Sequence, residues 1–394
     1  MLNSWNDEIN KKNLQIKNPK NRLPRSLHNS QKLIVGNLSY LNFMSNDYLG
    51  LSINSILKDA LIQGIERFGV GSTGAPSLSG YTEIQQQLEN QMAKWLNFEK
   101  CLVFNSGYHI GVGIFNKLID SDTQIWLDKN CHASHIDGIL LARMKFTTFK
   151  AENILKVMDI ISQKPQIKHL ILTEGTFSMN GICSYLELLL DFKRHKPNIL
   201  LVIDDAHGVG SMGDNGFGTL EKLGLNYKLV DLFIGTFAKS FGGYGGFICG
   251  NLNLVNYLQE TVTSQIYSSC LPPAIYAANL AALKIIQSRL GYELRQNLVS
   301  KIEYFIKLCL EYDLPLYKNN LSPIQLFIFK ENFEVIQIYE GLLNLQIIVG
   351  KILYPTVSKD KPRLRISLNV NLTMSDIKLL CDSIKGILIC KNPT

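Results

Sequence analysis

Between residues 100 and 250, short and almost unbroken apolar runs alternate with amphipathic stretches. The runs at 101–104, 124–127, 169–173, 200–203 and 231–235 have strand length, and 110–118, 152–161 and 186–195 show helical spacing between several of them. Near-continuous apolar strands separated by helices predict an α/β fold, with a mostly parallel sheet covered by helices on both faces. Beyond Leu271-Pro272-Pro273 a long helical stretch, 274–312, leads to strand-like runs at 324–329 and 364–368, then a last helix from Thr373. That change of pattern predicts a smaller α+β C-terminal domain. The expected division is an N-terminal arm over 1–50, a large domain over 51–275 and a small domain over 276–394.

Such sheets bind ligands at the carboxyl ends of their strands, and polar residues cluster there. Thr173-Glu174-Gly175, Asp204-Asp205-Ala206-His207-Gly208 and Thr236-Phe237-Ala238-Lys239 each follow an apolar run directly. Composition adds exclusions. The longest apolar stretches, 199–203 and 229–234 (the latter broken only by Asp231), are too short to cross a bilayer, and the N-terminus has no apolar leader, so the expectation is a cytoplasmic protein. Eight cysteines without a CxxC pair argue against a zinc ribbon. The net charge of +7 is concentrated before Gly36, where Lys11, Lys12, Lys17, Lys20, Arg22, Arg25 and Lys32 face only Asp7 and Glu8. This basic stretch lacks a nucleic-acid motif, so it predicts either a solubilising segment or a surface for another anionic partner.

The segment Gly69-Val70-Gly71-Ser72-Thr73-Gly74 matches GxGxxG, but a helical stretch precedes it and Ala75-Pro76 follows, so it reads as a glycine-rich loop near an active site. Asp204, Asp205, His132 and His207 offer a metal-hydrolase reading, without a recognised zinc spacing. They fit a different cofactor better. An aromatic aldehyde needs an amine, and Lys239 lies on a turn among small residues, Ser240 and Gly242-Gly243. Its ring nitrogen needs a buried carboxylate, for which Asp204 at a strand end is placed. His207 can hydrogen-bond the phenolic oxygen, and His132 can stack on the ring and move protons. A phosphate needs N–H groups at a helix N-terminus, which Ser106-Gly107-Tyr108 supplies. These are the requirements of pyridoxal 5'-phosphate, with no metal.

The ordered set Ser45-Asn46-Asp47-Tyr48-Leu49-Gly50, Ser79-Gly80-Tyr81, Ser106-Gly107-Tyr108, His132-Ala133-Ser134-His135, Glu174-Gly175-Thr176-Phe177-Ser178-Met179, Asp204-Asp205-Ala206-His207-Gly208 and Thr236-Phe237-Ala238-Lys239-Ser240-Phe241-Gly242 resembles the α-oxoamine synthases. These fold-type-I pyridoxal-phosphate enzymes join an amino acid to an acyl thioester. The resemblance implies a seven-stranded-type sheet, a homodimer with shared active sites, and a Schiff base on Lys239, which also shuttles the substrate's α-proton. It implies Asp204 on the pyridinium nitrogen, His132 on the ring face, Ser178, His207 and Thr236 in contact with the cofactor, and Gly107 and Tyr108 at its phosphate. The second arginine of Arg363-Leu364-Arg365 would hold the amino acid carboxylate.

Tyr354-Pro355-Thr356-Val357, Ser79-Gly80-Tyr81 and Ser4-Trp5 resemble the branch that uses L-alanine and a pimeloyl thioester, carried on acyl carrier protein or CoA, in biotin biosynthesis. Thr356 would then lie near the acyl chain, and Arg22, with Lys20 or Arg25 as the alternative positions, would be the substrate-binding basic residue. Leu372 stands where a histidine is common in that branch. A glycine- or serine-using sister member of the family is the alternative reading.

Overall fold

In the computed structural model, residues 3–14, 24–27, 30–318 and 320–389 are described. Among them, seven strands form a sheet in the order Lys100–Phe104, Gly246–Gly250, Leu232–Thr236, Ile199–Asp204, Lys168–Glu174, Thr123–Asp128, Phe146–Phe149. The last five are parallel, and Gly246–Gly250 runs antiparallel to both its neighbours. The inner strands are buried along nearly their whole length, as expected of a sheet with helices on both faces. Each fully buried aliphatic side chain contributes about 1.5–3 kcal/mol, which fixes the strand register. At Gly235 the ring of Phe247 lies over the Cα: an added Cβ would sit 2.2 Å from it, so only glycine fits there.

Register delivers the chemistry. Asp204 lies opposite Glu174 on one side and Ile234 on the other, so two carboxylates stand side by side at adjacent strand ends. Thr236 closes the next strand, and Lys239 is in the turn that follows.

The second sheet has the order Ser26–Leu27, Lys32–Val35, Leu38–Phe43, Ile347–Ile352, Arg363–Ser367, Ile324–Ile328. Leu38–Phe43 pairs in parallel with Ile347–Ile352. Within the segment expected as an N-terminal arm over 1–50, the strands extend the C-terminal sheet through backbone hydrogen bonds between distant segments. The expected single helix over 274–312 is two, Pro273–Gln287 and Arg289–Glu311. Ser288 divides them: its extended backbone leaves the helix, and its side chain caps the second one by accepting the Gly291 N–H. Two strands without a clear apolar alternation, Phe146–Phe149 and Gly246–Gly250, also belong to the large sheet. No helix among the described residues is long and apolar enough to cross a membrane.

Candidate active site

The sheet's carboxyl edge gathers Asp204, His207, Thr236 and Lys239. Helix Ala133–Leu141 adds His132 and His135, and the second sheet adds Arg365. Asp204 is the electrostatic centre. One carboxylate oxygen accepts the Ala206 N–H at 2.9 Å, and the other pairs with Nε2 of the buried His135 at 2.8 Å. Burial works to raise its pKa, but the His135 hydrogen bond and the charge of Lys239 prevail and hold it below the usual carboxylate value. Glu174 differs. Burial, reinforced by the Asp204 charge, pushes it well up, although it accepts the His132 N–H at 2.6 Å. Two neighbouring carboxylates are thus pushed apart, Asp204 toward the ionised form and Glu174 toward the protonated one.

Lys239 is half-buried, and its amine has no hydrogen-bond or ion-pair partner among the described residues. Burial brings it down to about 8, against the opposing pull of Asp204 and Glu174. Burial also holds His207 well below the usual imidazole range, so its ring is neutral. Its Nδ1 meets the Tyr48 hydroxyl at 2.7 Å. Tyr48, buried and pushed up to about 12, keeps its proton. When that proton is donated to Nδ1, His207 retains its own on Nε2.

Arg365 is buried, and its guanidinium donates to the Ser178 carbonyl at 2.8 Å, Ser367 Oγ at 2.9 Å and Asn46 Oδ1 at 3.0 Å. All three acceptors are neutral, and no carboxylate among the described residues forms an ion pair with it. A buried cation in that condition attracts an anion. Asn46 and Tyr48 arrive together because Asp47 pins their turn, accepting from Ser30 Oγ and the Leu51 N–H.

Ser106 caps helix Gly107–Leu118 through the His109 N–H, leaving the Gly107 and Tyr108 N–H groups open. A Cβ on Gly107 would meet nothing within 4 Å, so a ligand can approach the backbone. Tyr108 is anchored by donating to Asp137 at 2.6 Å. The Thr236 hydroxyl donates internally, to the Gly245 carbonyl at 2.8 Å. Thr356 is exposed on the turn before strand Arg363–Ser367, Leu372 is buried in the core, and Arg22 lies outside the described residues.

An unpaired amine, an ionised carboxylate, a neutral imidazole and an open helix N-terminus match the aldehyde, ring nitrogen, phenolic oxygen and phosphate of pyridoxal phosphate. The metal reading fails on its donors: Asp205 accepts from both the Thr219 N–H and hydroxyl, Asp204 is tied to His135, and no ligand cluster forms among the described residues. His135, Tyr48, Asn46 and Glu174 had no assigned role in the sequence, although the motifs contain all four.

Residues 39–384 match the family model described as aminotransferase class I and II. The 8-amino-7-oxononanoate synthase of Buchnera aphidicola subsp. Baizongia pistaciae is 35% identical over 386 residues, covering 97% of this chain and 98% of that protein. The enzyme of that name from Marinomonas sp. is 34% identical over 353 residues, covering 89% of this chain and 87% of that protein. Among solved structures, the 8-amino-7-oxononanoate synthase of Francisella tularensis superposes with a TM-score of 0.78 at 31% identity, covering 89% and 98% of the two chains. The serine palmitoyltransferase of Sphingomonas wittichii superposes with a TM-score of 0.89 at 21% identity over 98% of each chain, a likeness of fold.

Proposed function

We propose that this chain, which belongs to the α-oxoamine synthase family of pyridoxal-phosphate enzymes, condenses L-alanine with a pimeloyl thioester in biotin biosynthesis, releasing CO2 and a free thiol. The observation that carries this reading is the pairing of two chemistries at the sheet's carboxyl edge. An unpaired Lys239 amine near 8 lies within electrostatic range of a buried Arg365 that has no anionic partner among the described residues. The relatives named 8-amino-7-oxononanoate synthase, at 34–35% identity over most of the chain, supply the substrate class.

Lys239 would carry the cofactor's aldehyde carbon, Asp204 its ring nitrogen, and His207 and Ser178 its phenolic edge. His132 would lie on the ring face, Thr236 would bound the pocket floor, and the Gly107 and Tyr108 N–H groups would take the phosphate. Bound there, pyridoxal phosphate supplies an electron sink for the substrate α-carbon. The chain's own groups do the rest. Arg365, steadied by Asn46, holds the alanine carboxylate bidentately. The Lys239 amine, its proton affinity lowered by burial to about 8, removes and returns the α-proton. Thr356 would border the pimeloyl chain, and Arg22 would hold the thioester's anionic groups. That thioester is carried on phosphopantetheine, whether of CoA or of an acyl carrier protein, and the basic segment around Lys11, Lys12 and Arg25 suits either.

A second copy of the chain would complete the site. Val70, Leu78 and Tyr267 are each more than 80% exposed, and the loop holding the first two is tied to the third's segment by Ser72 and Cys270. We read these exposed apolar side chains as part of the surface that the second copy would cover.

The test loads the protein with pyridoxal phosphate, follows its visible band during titration with alanine, glycine and serine, then adds pimeloyl-CoA or pimeloyl-acyl carrier protein. Alanine selectivity and 8-amino-7-oxononanoate by mass spectrometry are expected. A preference for glycine or serine, with no product from alanine, moves the chain to a sister activity.

A further inference from the structure

Helix Ala133–Leu141 is apolar over most of its length, yet its third residue is a histidine with no solvent exposure. Phe115 meets the His135 ring edge-on, with centroids 5.7 Å apart. Nδ1 is buried without a hydrogen-bond partner among the described residues. Nε2 lies 2.8 Å from Asp204 Oδ2. An unpaired buried nitrogen is a cost that a leucine of similar size would avoid, so packing alone does not account for this side chain. Its one polar contact does. With Nδ1 unpartnered, the imidazole proton resides on Nε2, where the carboxylate accepts it.

We propose that His135 is a positioning residue that keeps Asp204 the weaker base of the pair it forms with the cofactor's ring nitrogen, so that their shared proton rests on the ring. This rests on the reading of Asp204 as that nitrogen's partner. Asp204 is surrounded by titratable groups: Glu174 on the neighbouring strand, Asp205 next in the chain, Lys239 beyond the other strand and His132 at the start of the helix. Burial acts to give Asp204 a high proton affinity, and among the groups opposing it the His135 hydrogen bond is the foremost. The Ala206 N–H already orients Oδ1. What His135 adds is a second donor that stabilises the anion. Without it the carboxyl gains proton affinity, the proton moves from the ring nitrogen to Asp204, and the electron sink weakens while the fold and the cofactor attachment remain.

The experiment measures the 15N chemical shift of the ring nitrogen in protein loaded with 15N-labelled pyridoxal phosphate, across pH. In the unaltered protein the ring nitrogen should read as protonated. In His135→Leu its titration midpoint should fall by about one to two pH units, the scale of one hydrogen bond to a charged group. His135→Gln, which places an amide N–H near the Nε2 position, should restore most of the shift. His135→Phe carries the same test if the leucine variant does not accumulate as folded protein. A ring-nitrogen titration in His135→Leu and His135→Phe equal to that of the unaltered protein, with Asp204→Asn reading neutral, overturns the role of His135. An Asp204→Asn protein whose ring nitrogen stays protonated overturns the underlying placement of Asp204. A defect in packing alone would change stability without moving this midpoint.

Discussion

When the cofactor-free protein is mixed with pyridoxal phosphate across a pH series, capture on Lys239 should accelerate with pH and level off near about 8. The perturbation is pH alone, and the attacking species is the neutral amine. A lysine at its ordinary 10.5 is unprotonated in roughly one molecule in three thousand at neutral pH. At about 8 the fraction is roughly one in ten, a gain of about 300-fold. The direction follows from burial, which disfavours the ammonium and outweighs the attraction of Asp204 and Glu174. Stopped-flow absorbance follows capture, and borohydride trapping with peptide mapping identifies the lysine. A rate that keeps rising toward 10.5, or label spread over surface lysines, refutes the reasoning. Glu174→Gln supplies an internal check. Removing one nearby acid should move the midpoint downward if any of that acid's charge reaches Lys239, and should never move it upward.

Three further outcomes follow from the geometry. Tyr48→Phe removes the hydroxyl on His207 Nδ1 and frees the imidazole tautomer; kcat should drop about tenfold with KM for alanine little changed, as steady-state kinetics will show. Arg365→Lys keeps the charge but loses the fork on Ser178, Ser367 and Asn46, so KM for alanine should rise about 10- to 100-fold, more than kcat falls. Asp205 is buried and raised to about 7, burial being the main cause. Its folded form holds a proton that the unfolded chain releases above 3.8, so folding stability is lost as pH rises from there through about 7. Denaturant midpoints for Asp205→Asn should show a flatter pH slope over that window, and an unchanged slope would exclude the linkage.

The parts that could be read from sequence alone were those whose signal is local. An apolar run ending in polar residues is visible as a string of residues, and it is enough to place Asp204 at a strand end and Lys239 in the turn after another strand. Partners contributed by distant segments left no such mark. Nothing local says that Leu38–Phe43 will lie beside Ile347–Ile352, because strand register across three hundred residues is set by packing. Ser288 was lost for a related reason: a single serine inside helical spacing reads as a tolerated polar position, while here it caps a new helix.

His135 shows where that boundary falls inside the site. On an apolar helix a lone histidine reads as a core residue, and its burial agrees with that reading. The fact that changes its meaning is a 2.8 Å contact with a carboxylate 69 positions away, on a different strand. Asp204 could be recognised from its strand because a ring nitrogen that must stay protonated needs an anion beside it. The group that makes this carboxylate the weaker base has no obligatory type or spacing: a backbone N–H, a hydroxyl or an imidazole would serve. A requirement of the cofactor constrains the residue touching it to a narrow chemical choice, and constrains the residue behind it only through geometry. Variation in this family's proton placement should therefore be sought in the layer behind the strand ends. Exchanging that layer should move ring-nitrogen titration while leaving capture on Lys239 intact.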